Sequence, residues 1–487
     1  MFSLPDCASQ LSALLINSDP SSKVTGISID TRTLAAGDFF IALRGAHTDG
    51  HEYVIQAMTK GASGAIVDRH FWKQRTEALS GDLSVRNLIV VPETKEALVI
   101  LASWHRSRLE IPFAGITGSV GKTSTKEFLS YLAGCFYTPQ SVLSTRGNFN
   151  NELGLPLTLL DLTLAHRFAA AELGAGKKGD IRYLCDILKP TAGILTCVAP
   201  SHMQSFGSLD GIYQTKLELF ESLPEGGIAV IPDDDPTLLS RSEKMPIRHV
   251  TVGLSDKATY KVSEVKSVLG KTAFSFAFGG AKRRFEFPGS APFMAMNAAF
   301  ALALLHEMGE DLNKLPSFWS DFELPPGRFS LLSLGEGITA VFDGYNASPR
   351  SFQRAVESFS ALADGARRII VAGDMLELGE GARTYHEELG EYMGSSGIDA
   401  LFAYGPLSAG TARSASNKSR EIHVYHSGNI DDIMNPLMEY LRPGDYVLLK
   451  ASRGMRVEKI LEALKKRYPP ENQIPRSASA ASLREQS

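Results

Sequence analysis

Apolar runs alternate with amphipathic stretches along most of the chain. Runs bounded by glycine, proline or polar residues predict strands in the first half of the chain, at 24–32, 37–45, 87–92, 168–173, 192–199 and 227–232. Residues 51–68 predict a helix that ends at a glycine and is followed by another strand. Stretches with helical periodicity, such as residues 95–110, separate several of the predicted strands. Strands that alternate with helices predict parallel sheets covered on both faces, and hence an α/β protein.

Two segments interrupt this alternation and divide the chain. Residues 259–289 alternate apolar and polar side chains with glycine between the runs, which predicts an antiparallel appendage. Residues 325–332 begin with Pro-Pro-Gly, which cannot continue a helix and predicts a linker. The alternation then restarts, with strands predicted at 338–345, 367–374, 400–405, 422–425 and 445–452 and helices at 349–363, 383–395, 429–441 and 455–467. We therefore expect three α/β domains, at 1–105, 106–326 and 327–468, and a disordered tail at 469–487.

Composition narrows the class of protein. The 487 residues are 44% hydrophobic and 21% charged, enough for several packed cores. The net charge is −4, from 50 basic and 54 acidic residues, which argues against nucleic-acid binding through bulk charge. Four scattered cysteines, a first segment without a basic start, and no apolar run near the ~18 residues of a membrane span predict a cytoplasmic protein with reduced thiols.

The most informative segment is a glycine-rich turn between a predicted strand and a predicted helix. Glycines at 115, 118 and 121 precede Lys122 and Thr123 in GITGSVGKTS. Such a turn points backbone N–H groups at phosphate oxygens, while the lysine reaches the β and γ phosphates and the threonine hydroxyl ligates Mg²⁺. The first glycine falls one residue earlier than in the strict pattern. The alternative, a glycine-rich turn without a ligand, agrees less well with the lysine, the threonine and the context.

This turn alone predicts only that a nucleoside triphosphate binds. The base-reading NKxD motif of GTPases is missing from the sequence, and the apolar strand expected to end in aspartate ends instead in AAAELGAG, with Glu172. Further strings occur along the chain: SIDTRTLAAGDFFIALRGAHTDGHEY, TRGNFNNELGLPLTLL, PSHMQSFGSLDGIYQTKLELF, PPGRFS, DGYNASPRS, GDMLELGEGARTYHEELG and KASRGMRVE. With these strings, in this order, the chain resembles the Mur ligases, the ATP-dependent amide-forming enzymes of peptidoglycan synthesis, from about residue 24 to 467.

The resemblance implies a function for each domain: one binds the UDP-linked substrate, one binds ATP, and a Rossmann-like C-terminal domain receives the amine. NFNNELGLP favours the family branch that adds D-alanyl-D-alanine over its amino-acid-adding sibling. The implied reaction phosphorylates the carboxylate of UDP-N-acetylmuramoyl-tripeptide with ATP and Mg²⁺, and the amine of D-Ala-D-Ala then displaces phosphate. The product would serve wall synthesis, and through it cell shape and division. We expect a monomer.

The resemblance also assigns residues to roles. The residues implied in catalysis are Lys122, Glu172, His202, Lys216 and Arg328. Those implied in ATP binding are Gly115, Thr117, Gly118, Ser119, Val120, Gly121, Lys122, Thr123, Ser124, Asn297, Arg328 and Asp343. Those implied in substrate binding are Ser28, Asp30, Arg32, Thr145, Asn148, Asn150, Asn151, Tyr345, Asn346 and Arg453. The implied metal ligands are Thr123, Glu172, His202 and Lys216, the last as a carbamate.

Other functions stay open at this point. Within the class, the alternatives are the amino-acid-adding sibling and folylpolyglutamate synthetase. From another class, a P-loop protein can act as a nucleotide-dependent binding module. The sequence also departs from the family where adenine is read: Phe293 and Met294 occupy positions that usually carry His-Asn, and Pro232 begins a segment that usually reads Asn-x-Asp-Asp.

Overall fold

The structure is a computed structural model that describes residues 3–19, 22–80, 86–268 and 270–470, without the side chains of 75–80. Residues 471–487, most of the predicted tail, lie outside this range. The described residues form two compact units. The first contains those up to Val198, with Asp210–Tyr260 and Asn297–Leu315, and the second contains Ala199–Leu209, Lys261–Met296 and those from Pro316 onward.

The first unit begins with a five-stranded sheet in the order β1-β5-β4-β3-β2. Its strands are β1 (Leu14–Ile16), β2 (Gly26–Ser28), β3 (Asp38–Ile41), β4 (Gly64–Asp68) and β5 (Leu88–Val91). The accompanying helices are α1 (Leu4–Gln10), α2 (Val54–Thr59), α3 (Arg69–Ser80) and α4 (Thr94–Ser107). All neighbours pair in parallel except β1. The strands predicted at 24–32 and 37–45 are thus parallel neighbours.

A parallel sheet in the order β11-β10-β9-β6-β8-β7 forms the rest of the first unit. Its strands are β6 (Phe113–Thr117), β7 (Val142–Ser144), β8 (Phe168–Glu172), β9 (Ala192–Leu195), β10 (Ile228–Pro232) and β11 (Arg248–Gly253). The helices between residues 122 and 307 are α5 (Lys122–Tyr137), α6 (Gly154–Leu160), α7 (Asp180–Leu188), α8 (Met203–Phe206), α9 (Leu209–Glu221), α10 (Pro236–Ser242) and α11 (Met294–Glu307). Of these, α8 and the first residues of α11 belong to the second unit. Because β6 and β8 lie side by side, their carboxyl ends bring the glycine-rich turn and Glu172 to one edge, where α/β sheets bind ligands.

The predicted antiparallel appendage is confirmed. Three strands follow one another there as β12 (Tyr260–Val268), β13 (Lys271–Phe278) and β14 (Ala281–Pro288). Trp319 is fully buried in the second unit and stacks on Phe287 of β14, which gives this small sheet a core of its own.

The C-terminal sheet has the order β15-β16-β20-β17-β18-β19. Its strands are β15 (Ser330–Ser333), β16 (Thr339–Asp343), β17 (Arg368–Gly373), β18 (Ala400–Tyr404), β19 (His423–Ser427) and β20 (Tyr446–Lys450). Its helices are α12 (Pro349–Leu362), α13 (Ala382–Gly394), α14 (Ser408–Lys418), α15 (Ile430–Tyr440) and α16 (Glu458–Arg467). The linker prediction for 325–332 was wrong at its end, because Ser330–Ser333 pair antiparallel with β16.

The predicted α/β class is confirmed, and the predicted strands and helices are present with shifts of a few residues at their ends. Predictions missed several elements, most of them short or polar, namely α1, β1, α3, β7, α6, α7, α8, α10, β11, β15 and α14. Within the described residues, no helix combines the length and apolar character needed to cross a membrane.

Candidate active site around the glycine-rich turn

The turn between β6 and α5 can form only with glycine at two positions. Gly118 has φ +145 and Gly121 has φ +88. A Cβ at Gly118 would lie 2.0 Å from Thr196 Oγ1, and one at Gly121 would lie 2.8 Å from Asn297 Oδ1. Side chains are therefore excluded by both backbone conformation and space. Gly115, in contrast, lies inside β6, where its missing side chain makes room for Leu219.

Contacts from within the first unit hold the turn in shape. The Ser119 N–H donates to the Cys197 carbonyl at 2.9 Å, and the Thr196 hydroxyl donates to the Val120 carbonyl at 2.5 Å. The Lys122 ammonium donates to the Gly118 carbonyl at 2.7 Å. This places a cation directly over a turn that opens a helix, an arrangement suited to binding phosphate.

Glu172, at the end of β8, meets the first turn of α5. The Thr123 hydroxyl donates to Glu172 Oε2 at 2.6 Å, and the Asn150 side-chain amide donates to Oε1 at 2.8 Å. Glu172 is only 3% exposed. A hydroxyl and a carboxylate beside a phosphate-binding turn are hard oxygen donors, which fit Mg²⁺.

Lys216, on α9, is a buried amine near this turn. Burial, and then the positive charge of Lys122, lower the pKa of Lys216 to about 7. An ammonium does not ligate Mg²⁺, so the fit of Lys216 to a metal depends on its conversion to a carbamate. A lowered pKa favours that conversion because the neutral amine is the nucleophile.

Asn297, predicted to bind ATP, and Phe293, at a departure from the family pattern, belong to different units of the structure. The Asn297 amide lies against Gly121, as the blocked Cβ position shows. Phe293 lies in the second unit and packs edge-on against Phe329, with ring centroids 5.6 Å apart. The Phe293 ring is thus already packed against an aromatic side chain of the second unit.

The segment after β7, which was predicted to bind substrate, lies against Glu172. Thr145 is buried, and its hydroxyl accepts from the Glu172 N–H at 3.1 Å. Asn151 has a structural role, since its side chain accepts from the Gly154 N–H at 2.9 Å at the start of α6. Asn148 is exposed.

The predicted uridine-binding turn at the end of β2 is organised by its own side chains. The Ser28 hydroxyl donates to the Asp30 carbonyl at 3.1 Å, and Asp30 makes an ion pair of 2.6 Å with Arg32. The hydrogen bond from Arg32 holds the pKa of the Asp30 carboxyl below its ordinary value. The Arg32 side chain is 87% exposed and accessible to an anionic ligand.

In the second unit, His202 is paired with a carboxylate. His202 Nδ1 lies 2.6 Å from Glu377 Oε2, and both residues have positive φ, at 49 and 66. Within the described residues, no cluster of three or more His, Cys, Asp or Glu side chains is arranged to hold a metal ion. Of the four predicted metal ligands, Thr123 and Glu172 contact each other. Lys216 is a buried amine, and His202 pairs with Glu377.

The start of the C-terminal sheet gathers the remaining predicted residues. The guanidinium carbons of Arg328 and Arg453 lie 4.2 and 5.4 Å from the centre of the Tyr345 ring. Two guanidinium groups beside one aromatic ring form a positive region that suits a carboxylate or a phosphate.

Asp343 ends β16 beside this positive region. It accepts from the Phe329 N–H at 3.2 Å and from the Lys450 ammonium at 2.6 Å. The same ammonium also donates to the Asn346 carbonyl at 3.1 Å, so one buried cation connects two of the predicted residues.

Sequence reasoning missed two buried lysines, Lys126 and Lys450, that are 2% and 1% exposed. A signal existed for each. Lys126 follows Thr123 by three residues and so shares its helix face, and Lys450 ends the apolar run DYVLLK at a strand terminus.

Comparisons with known proteins cover the same three parts of the chain. Three family models match: "Mur ligase family, catalytic domain" over 23–105, "Mur ligase middle domain" over 116–305, and "Mur ligase, glutamate ligase domain" over 327–453. Among relatives, UDP-N-acetylmuramoyl-tripeptide–D-alanyl-D-alanine ligase of Bacillus subtilis is 32% identical over 441 residues, which cover 91% of this chain and 93% of the relative. The ligase of the same name from Escherichia coli is 31% identical, covering 82% and 86%.

Solved structures of MurF ligases are similar to this chain over most of its length. The MurF ligase of Thermotoga maritima, crystallised with ADP, has a TM-score of 0.77 at 28% identity and covers 91% of this chain and 98% of its own. MurF of Acinetobacter baumannii has a TM-score of 0.81 at 24% identity, covering 96% and 99%, and supports the fold.

Proposed function

The chain belongs to the Mur ligase family, and from that premise we propose that it joins D-alanyl-D-alanine to UDP-N-acetylmuramoyl-tripeptide with hydrolysis of ATP to ADP. The observation that carries this function is the match to ligases of that name along nine-tenths of the chain. The product is the UDP-muramoyl-pentapeptide precursor of peptidoglycan. Wall biogenesis, cell shape and cell division depend on that precursor.

The reaction has two balanced steps. A carboxylate oxygen of the tripeptide attacks the γ-phosphorus of ATP, the bond to ADP breaks, and an acyl phosphate forms. The amine of D-Ala-D-Ala then attacks the acyl carbon, loses a proton, and phosphate leaves with the former carboxylate oxygen. Phosphoryl transfer depends mainly on positioning and charge stabilisation. We assign these tasks to Lys122 and to the N–H groups of 118–124 other than that of Ser119, which would surround the γ-phosphate with partial positive charge.

Mg²⁺ is proposed as the metal. Thr123 and Glu172 are proposed to hold one ion, and His202 with carbamylated Lys216 is proposed to hold a second. The two ions would supply positive charge to the phosphate oxygens. The Thr123–Glu172 contact of 2.6 Å and the lowered pKa of Lys216 support the proposed roles of these residues in metal binding. A histidine that pairs with a carboxylate through Nδ1, as His202 does with Glu377, can still ligate a metal through Nε2.

Nucleotide and amine would be bound by residues around the start of the C-terminal sheet. Arg328 and Asp343 are proposed to contact ATP there, and Asn297, beside Gly121 in the first unit, is proposed at the adenine. Tyr345, Asn346 and Arg453 are proposed at the dipeptide, where the Arg453 guanidinium would pair with its carboxylate. The nearness of Arg328 and Arg453 to one tyrosine ring supports a single positive region in which the two ligands would meet.

The UDP-linked substrate would be bound by the N-terminal part of the chain. The exposed Arg32 is proposed to meet the diphosphate, with Ser28 and Asp30 shaping its turn. Thr145, Asn148, Asn150 and Asn151 are proposed at the sugar and peptide. We propose domain boundaries at 105/106, 326/327 and 468/469, a monomer, and a cytoplasmic site of action, where UDP-linked precursors are made.

The discriminating experiment measures phosphate release from ATP with the two acceptors added separately and together. Release that requires both UDP-muramoyl-tripeptide and D-Ala-D-Ala supports the proposed ligase. Release with single amino acids in place of the dipeptide would assign the amino-acid-adding sibling, and release with a folate and glutamate would assign folylpolyglutamate synthetase. ATP turnover without either acceptor would favour a nucleotide-dependent module and contradict the proposal.

A further inference from the structure

Lys126 is a lysine of helix α5 whose side chain is buried in the protein. It is 2% exposed, its ammonium donates to the Thr145 carbonyl at 2.9 Å, and it forms an ion pair with Glu127. Removing an ammonium from water costs several kcal/mol, and an apolar side chain of similar size often stabilises a core as well or better. Stability alone therefore gives a weak reason for a lysine at this position.

The acceptor of this hydrogen bond begins the segment 145–151. Thr145 follows β7 directly, and its hydroxyl accepts from the Glu172 N–H at 3.1 Å. At the far end of the segment, the Asn150 side chain donates to the Glu172 carboxylate at 2.8 Å, and the Asn150 carbonyl accepts from the Gly174 N–H at 2.8 Å. The segment is thus attached to the end of β8 at two points.

Helix α5 contacts both Glu172 and Thr145. Thr123 and Lys126 are three residues apart and lie on one helix face. Thr123 binds the Glu172 carboxylate, and Lys126 binds the Thr145 carbonyl. A closed circuit of hydrogen bonds therefore joins the helix that starts at the glycine-rich turn to the segment 145–151. A shift of the first turn of α5 cannot occur without a change in that segment or the loss of a contact.

We propose that Lys126 is a positioning residue that couples the glycine-rich turn to the segment 145–151, so that binding of nucleotide orders this segment for the UDP-muramoyl substrate. The inference rests on the proposed function for the identity of that substrate. Lys126 acts through the Thr145 carbonyl and touches neither ligand. Coupling between two binding sites is reciprocal, so each ligand tightens the binding of the other by the same factor.

The test is calorimetric titration of UDP-muramoyl-tripeptide into the full chain, with and without a non-hydrolysable ATP analogue and Mg²⁺. In the wild type the analogue is expected to tighten tripeptide binding about 5-fold or more. In Lys126→Met that ratio falls to about 1, while the affinity for the analogue alone changes less than about 3-fold. Lys126→Arg, which keeps a cationic donor, restores at least part of the ratio, and the control Lys178→Met, at an exposed lysine, leaves it unchanged. An unchanged ratio in Lys126→Met overturns the inference.

A second measurement needs only the wild type and covers the case in which Lys126→Met does not fold. The ATP analogue with Mg²⁺, added alone, is expected to slow hydrogen exchange of the backbone amides in 145–151. Unchanged exchange there, with the analogue bound, overturns the inference. Failure of the wild type to bind UDP-muramoyl-tripeptide contradicts the proposed function itself. Binding of both ligands without coupling contradicts only the role of Lys126.

Discussion

Replacement of Lys216 by methionine is expected to stabilise the protein at low pH. The folded-state pKa is about 7 against an ordinary value of 10.5. Each pKa unit corresponds to about 1.4 kcal/mol, so keeping the ammonium buried below pH 7 costs about 5 kcal/mol. Because the folded pKa is depressed, the unfolded state binds more protons between pH 7 and 10.5, and wild-type stability rises with pH across that window.

The pH dependence separates this charge effect from packing. At pH 9 the folded amine is neutral and a cost of about 2 kcal/mol remains, so the advantage of Lys216→Met should shrink by about 3 kcal/mol between pH 6 and pH 9. Any difference in packing between lysine and methionine is the same at both pH values and cancels. The measurement is urea-induced unfolding in carbon dioxide-free buffer without nucleotide or metal. Lys178→Met, at an exposed lysine of the same unit, is the matched control.

Activity gives the second half of this prediction. The neutral amine, abundant near pH 7 because of the lowered pKa, reacts with carbon dioxide to form a carbamate. Lys216→Ala should abolish phosphate release, with partial rescue by short carboxylates that occupy the space of the carbamate. Bicarbonate should raise wild-type activity and leave Lys216→Ala unchanged. A pH-independent stability difference would refute the burial argument, and full activity of Lys216→Ala would refute the catalytic role.

Three further predictions test other parts of the structure. Glu172→Gln, which keeps the shape of the side chain, should lower phosphate release about 100-fold or more while ADP still binds, and near-normal release would exclude a role in catalysis. Arg106→Met removes donors to two carbonyls at the end of α7, at 2.6 and 2.9 Å, and should lower the free energy of unfolding by about 2–3 kcal/mol, whereas the exposed Arg108→Met should change it little. Lys450→Met should destabilise by about 3–5 kcal/mol, and adding Asp343→Asn should recover much of that loss; additive losses would show that the two residues do not act as a pair.

Long apolar strands and the glycine-rich turn were predictable because one local pattern determines each of them. β6, β8 and β20 are nearly continuous apolar runs, as buried parallel strands require. Short edge elements were missed for the opposite reason. β15 follows Pro-Pro-Gly, a strong breaker, and forms only because β16 offers an antiparallel partner. Helix α14 has the sequence SAGTARSASNK, whose small polar residues give little helical periodicity.

Individual candidate residues were predictable, but their partners were not. Lys122, Thr123 and Glu172 belong to recognisable strings, yet only the folded chain places Asn150 on the second Glu172 oxygen. The roles of buried lysines were hidden for a physical reason: a lysine in sequence is usually exposed, and its meaning changes only when tertiary packing removes water from it. The spacing of Lys126 from Thr123 places both on one helix face, but only the folded chain shows that the lysine is buried.

Transfer of oxygen from the tripeptide to phosphate tests the central claim most directly. UDP-muramoyl-tripeptide labelled with ¹⁸O in both oxygens of the reacting carboxylate is converted in unlabelled water with ATP, Mg²⁺ and D-Ala-D-Ala, and the released phosphate is analysed by mass spectrometry. An acyl phosphate requires that each phosphate carries one labelled oxygen and that the new amide keeps the other. Phosphate without the label, formed while ATP is consumed, would show that water and not the carboxylate attacks the γ-phosphorus, and would contradict the account.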